Sequence, residues 1–163
     1  MKTLLIALAA VCLSPLSAEA KVDSNTPTLI DTFERHGFEV IIDPVDDCLK
    51  GVGGLINFQE QYVALCTEGR STADYHDTVR HEAVHLAQYC ATKKRGHDQL
   101  EPLIDSRLKL KEFIESALPD KTIVAIKSYY ERKRWLPELE ASAVALMYDA
   151  EWVSELVDTW CTV

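Results

Sequence analysis

The order of apolar and polar positions divides the chain into a short strand-rich stretch and a long helical one. Leu29, Ile30 and Phe33 recur at helical spacing and Gly37 follows them, which predicts an amphipathic helix over 27–36 that stops at the glycine. A β-branched run predicts a strand over 38–42, ended by Asp43-Pro44. Lys50-Gly51-Val52-Gly53-Gly54 reads as a turn, and alternating segments at 55–58 and 62–66 predict two further strands. From Ser71 the period becomes helical. Ser71 or Thr72 suits an N-cap with Asp74 in the first turn, and the helix should run through Val79, Ala83, Leu86 and Ala87 to about Tyr89, with 93–97 a solvated loop. Helices are also predicted over 99–117, 121–134 and 137–160, the last with a stripe at Leu139, Ala143, Leu146, Ala150, Val153, Val157 and Trp160. The expected architecture is α+β, a small N-terminal β-sheet packed on a mainly helical body.

The first twenty residues do not belong to that pattern. Lys2, the apolar run over 4–13 and Ala18-Glu19-Ala20 predict a cleavable signal peptide over 1–20, leaving a domain of 21–163 that is secreted or periplasmic and free of the membrane. Cys12 leaves with the signal. Cys48, Cys66, Cys90 and Cys161 remain, with no close Cys-x-x-Cys pair among them, so two disulfides are expected rather than a thiolate metal site. Cys48 and Cys66 fall on neighbouring connections of the predicted sheet and the other two in the helical part, which favours the pairs 48–66 and 90–161. The 163 residues carry 17 Lys and Arg against 26 Asp and Glu, a net charge of −9, which argues against a nucleic-acid partner.

Candidate chemistry is concentrated in His81-Glu82-Ala83-Val84-His85. Histidines at i and i+4 project from one helix face, so both imidazoles can reach one tetrahedral Zn²⁺. Glu82 then lies beside the ion, placed to deprotonate a water rather than to coordinate. Asp77, one turn before His81, is a candidate to orient it, although the helix start accounts for an acid there equally well. His76 and His97 read as solvated, and Trp135, Trp152 and Trp160 as core. Tyr129 and Tyr130 can donate to an oxyanion or serve in the core or rim. Arg132-Lys133-Arg134, flanked by Glu131 and Glu138, reads as a solvated helix end.

Through this HExxH motif the chain resembles the zincin metallopeptidases. The resemblance implies that His81 and His85 are zinc ligands and Glu82 the catalytic base. Metzincins would carry Gly at 88 and His at 91, where this chain has Gln88 and Ala91, so the likeness is to gluzincins, which take a glutamate from a later helix. The segment Pro137-Glu138-Leu139-Glu140-Ala141-Ser142-Ala143-Val144-Ala145 looks like that helix. On its wheel Glu140 shares an apolar flank with Val144 and Met147, whereas Glu138 shares a polar one with Ser142 and Asp149. A carboxylate on an apolar flank needs a partner, so Glu140 is the expected third ligand, with Glu138, Asp98 and Glu101 as alternatives. The implied activity is exported, zinc-dependent hydrolysis of a peptide or protein substrate. The same residues also suit a non-catalytic binding or structural module, or a zinc amidase acting on a cell-wall peptide.

Overall fold

The computed structural model describes residues 26–49 and 51–162; the expected signal peptide lies outside them. The chain runs α1 (Thr26–Arg35), β1 (Glu39–Ile42), β2 (Gly54–Asn57), β3 (Tyr62–Leu65), α2 (Thr72–Lys94), α3 (Arg107–Ala117), α4 (Asp120–Tyr129), a 3-10 turn at Arg132–Arg134, α5 (Trp135–Met147) and α6 (Ala150–Cys161). This is the α+β arrangement, three strands against a helical body. The sheet order is β1-β3-β2, with β3 parallel to β1 and antiparallel to β2. Among the described residues, β2 pairs on one side only.

α2 is the axis of the molecule, packing on α5, α6, α1 and the sheet. Ser71 caps it as expected, its hydroxyl accepting from the Asp74 N–H while the Asp74 carboxylate returns to the Ser71 N–H, so two end donors are satisfied reciprocally. Leu29, Phe33, Val63, Leu65, Val79, Ala83, Leu86, Val153 and Val157 form one buried core around it. Each large member contributes about 1.5–3 kcal/mol by leaving water. A second cluster, Leu110, Ile114, Leu118, Leu139 and Ala143, joins α3 to α5.

Four helix boundaries differ from expectation: the helix expected over 121–134 ends at Tyr129, where Tyr130 and Glu131 turn extended before the separate 3-10 turn at Arg132–Arg134, and three others each have a local reason. α2 continues past Tyr89 to Lys94: Ala91 and Thr92 are buried, Lys93 and Lys94 suit the negative helix end, and Gly96 at φ +75° makes the exit that the loop was expected to make. α3 starts at Arg107 rather than 99, because Pro102 lacks an N–H and those of Leu103 and Ile104 donate to the Glu140 carboxylate instead of to a helix. The long helix over 137–160 is two helices. Tyr148 is extended and the Asp149 side chain accepts from the Trp152 N–H at 2.9 Å, capping a new start, so Leu146 of the expected stripe is exposed.

Both disulfides join the expected partners, Cys48 to Cys66 and Cys90 to Cys161. They fit an oxidising, extracellular environment. No helix among the described residues is long and apolar enough to cross a membrane.

Candidate metal centre

α2 and α5 cross so that one carboxylate of α5 meets both motif histidines. Glu138 Oε2 lies 3.3 Å from His81 Nε2 and 3.4 Å from His85 Nε2, and the three ligand atoms all lie within 4.8 Å of one another. Such separations are long for charge-assisted hydrogen bonds, which fall at about 2.7–2.9 Å. The two histidine–Glu138 separations match the edge of a tetrahedron with metal–ligand bonds of about 2.0–2.1 Å, which is about 3.3–3.4 Å. The donor set therefore fits a small tetrahedral cation.

Both histidine rings are held from behind. His85 Nδ1 faces Gln88 Oε1 at 2.7 Å, and His81 Nδ1 faces the Ser142 hydroxyl at 3.4 Å, so both Nε2 atoms point at Glu138. Fixing the outer nitrogen sets the tautomer and ring orientation of a metal-binding histidine. The rings meet edge to face with centroids 4.6 Å apart. The second oxygen of Glu138 accepts from Arg134 at 2.6 Å, and the Arg134 guanidinium lies 5.0 Å from the centre of the Tyr130 ring. Only Oε2 is left for the histidine side.

The structure brings Glu138, rather than the expected Glu140, to the histidines. Glu140 is equally buried but turned away: it accepts from the Leu103 N–H at 2.7 Å, the Ile104 N–H at 2.9 Å and the Gln88 side-chain amide at 2.8 Å. The partner that a buried carboxylate requires is here backbone and amide, not metal. Through Gln88, which also donates to the Pro137 carbonyl at 3.0 Å, Glu140 still supports His85 at one remove. Asp98 is exposed, and Glu101 pairs with His97 at 2.6 Å, so neither joins the group. Asp77 pairs with Arg80 and does not orient His81.

Charge and burial compete throughout the group. Burial pushes the Glu138 carboxyl up, but the two histidine contacts outweigh it and hold it well below the usual carboxylate range. Burial likewise lowers His85, and the hydrogen bond and charge of Glu138 outweigh that and raise it. Glu82 is raised, chiefly by burial, with the histidines opposing and Glu138 reinforcing. A carboxyl lifted toward neutrality is what a general base needs. Burial, then the charge of Glu138, also raises Tyr130, which remains a protonated donor at neutral pH.

His81, Glu82 and Tyr130 open on a cleft of about 500 Å³ with Ser142, Leu146 and Arg70 in its lining. One wall is glycine for a steric reason. A Cβ on Gly54 would lie 2.8 Å from Thr78 Cγ2 and 3.3 Å from Glu82 Cγ, and one on Gly53 would lie 2.9 Å from Thr78 Oγ1. The missing side chains let α2 press against the start of β2, which carries Glu82 to the free side of the sheet. Tyr129, by contrast, is 74% exposed and takes no part. Gln88, Ser142 and Arg134 were not expected at the centre, although helical spacing offered the signal: each lies three or four residues from a ligand. Comparisons with family models, with curated proteins and with solved structures return no match.

Proposed function

We propose that this protein is an exported zinc-dependent metallopeptidase of the gluzincin type, hydrolysing peptide bonds with Glu82 as general base. The observation that carries the reading is the meeting of both motif histidines with one Glu138 oxygen at 3.3 and 3.4 Å, where His81, one of the two, lines a cleft together with Glu82. His81 Nε2, His85 Nε2 and Glu138 Oε2 hold the ion. Zinc, when bound, polarises a carbonyl and acidifies a water, whose pKa falls to about 7 on such ions. Glu82 takes the proton of the attacking water and passes it to the leaving amine. Tyr130 supplies a hydroxyl for the negative charge that develops on the carbonyl oxygen. The free side of β2, whose Gly54 end abuts Glu82, suits an extended peptide adding as a strand. The two disulfides support an extracytoplasmic location, secreted or periplasmic.

Metal analysis of the purified protein by mass spectrometry tests the site, and digestion of a peptide library tests the chemistry. One zinc per chain is expected, lost in His81→Ala. Glu82→Gln should keep the zinc and lose hydrolysis. Wild-type protein without zinc after metal supplementation rejects the reading; zinc without hydrolysis of any peptide rejects the enzyme and leaves a metal-bearing binding module.

A further inference from the structure

Among the described residues, Arg70 is the cleft-lining cation that no acid neutralises. It lies in the turn before α2 and lines the same cavity as His81 and Glu82. Its guanidinium is packed onto the glycine wall: a Cβ on Gly53 would lie 3.0 Å from its Cζ and 3.1 Å from its Nη1. The same pair of glycines thus has Arg70 against Gly53 and Glu82 against Gly54, with Thr78 touching both. The guanidinium and the proposed base are neighbours on one wall.

The hydrogen bonds of Arg70 leave most of its donors unspoken for. It reaches the Gly51 carbonyl at 3.3 Å, a long contact, and makes no ion pair with a carboxylate among the described residues. The other charges around the cleft are committed: Asp77 to Arg80, and Glu138 to the histidines and Arg134. In a chain of net charge −9, where acids outnumber bases 26 to 17, an arginine without an acid partner beside a catalytic-type glutamate is against the background. The glycines of the adjoining wall let the guanidinium lie against the backbone at the edge of the cleft. A planar guanidinium with free donors is the side chain best suited to take a carboxylate in two parallel hydrogen bonds.

We infer that Arg70 makes the cleft selective for peptides that present a carboxylate beside the bond to be cut. The inference rests on the peptidase reading and sharpens it by naming the substrate class. The carboxylate has two sources, the C-terminus of a short peptide or an Asp or Glu side chain within a longer one. Bidentate pairing with a charged group is worth about 10- to 100-fold in affinity.

Binding is measured on zinc-loaded Glu82→Gln protein, so that no probe is consumed. The probes are libraries of N-acetylated tetrapeptides in matched forms: free acid against C-terminal amide, and Asp or Glu against Asn or Gln. Arg70→Gln is added as the second variant, because glutamine can still donate to the Gly51 carbonyl and so keeps any support of that loop while removing the charge. A preference of about 10-fold or more for the acid form in the presence of Arg70, falling to near unity in Arg70→Gln with zinc content unchanged, is the expected result. The arm in which it occurs identifies the source of the carboxylate. Equal binding of acid and amide forms in both arms overturns this inference alone, as does a preference that survives Arg70→Gln. No binding of any peptide by zinc-loaded protein rejects the peptidase reading and the inference with it.

Discussion

The two faces of α5 carry glutamates two residues apart, each about 1% exposed, and they do opposite things. Facing α2, Glu138 meets two imidazoles, which can turn their nitrogens to a cation, and an arginine that is half exposed to solvent. On the inner face, Glu140 meets two backbone N–H groups and the Gln88 amide, which also donates to the Pro137 carbonyl. Depth of burial is the same; what differs is whether the donors around the carboxylate belong to the fold or can yield to a metal. A buried acid surrounded by backbone donors is satisfied by the fold, whereas one whose oxygen faces two imidazole nitrogens at 3.3 and 3.4 Å is placed where a cation could be held.

Glu138→Ala gives the largest separation of the two. It should lower zinc affinity by orders of magnitude, measured by chelator competition, while the metal-free protein retains its helical circular dichroism. Next comes Glu140→Ala, which strands the Leu103 and Ile104 N–H groups and should cost about 3 kcal/mol in urea unfolding of the metal-free protein. Equal zinc affinity in Glu138→Ala and wild type, with metal lost only in Glu140→Ala, would exchange the roles. Gln88→Leu cuts the link between the faces. It frees the His85 ring without removing a ligand, and zinc affinity should fall about 10- to 100-fold.

The smallest effect comes from a carboxylate outside this pair. Burial raises Asp158, but His36 at 2.7 Å and Arg35 at 3.0 Å outweigh it and lower its pKa from the ordinary 3.8. A depressed folded value means that the stabilisation is present above pH 3.8 and fades as the pH falls through the lowered value. Because both Asp158 and Arg35 are about half exposed, Asp158→Asn should cost under about 1 kcal/mol at neutral pH. A loss that persists at pH 2 would show that the charge is not its source.

The helix wheel read correctly where one element was enough. His81, Glu82 and His85 lie on one helix, and their spacing is legible from sequence. So were the three strands and the disulfide partners, since local alternation and position along the chain carried them. The third acid was not legible, because the choice between flanks depends on which face of α5 meets α2. The wheel placed Glu140 on an apolar flank and inferred an unmet need, but the segment over 101–106, expected to be helical, is irregular and brings the Leu103 and Ile104 N–H groups to meet it. Misreading that one segment as helix therefore removed the true partner of Glu140 from view. The polar flank of Glu138 and Ser142 was the better signal, since Ser142 faces the outer nitrogen of His81 while Glu138 faces the inner one. The break at Asp149 was written in the sequence as an Asp followed by a helix former and Glu151, but the continuous apolar stripe masked it.

The bond between Cys90 and Cys161 closes a covalent ring of 71 residues of sequence separation, and Glu138 lies inside that ring while His81 and His85 sit just outside its first link. Ring closure removes chain freedom from the unfolded state worth about 4 kcal/mol on a chain-entropy model. It also makes α5 a tethered ligand of α2. When the helical body opens, the glutamate stays at a high effective concentration around the two imidazoles instead of diffusing with a free C-terminal tail. Reclosure of the three-residue group is thereby an intramolecular capture, and reduction of this one bond converts it into a search by a long, open chain.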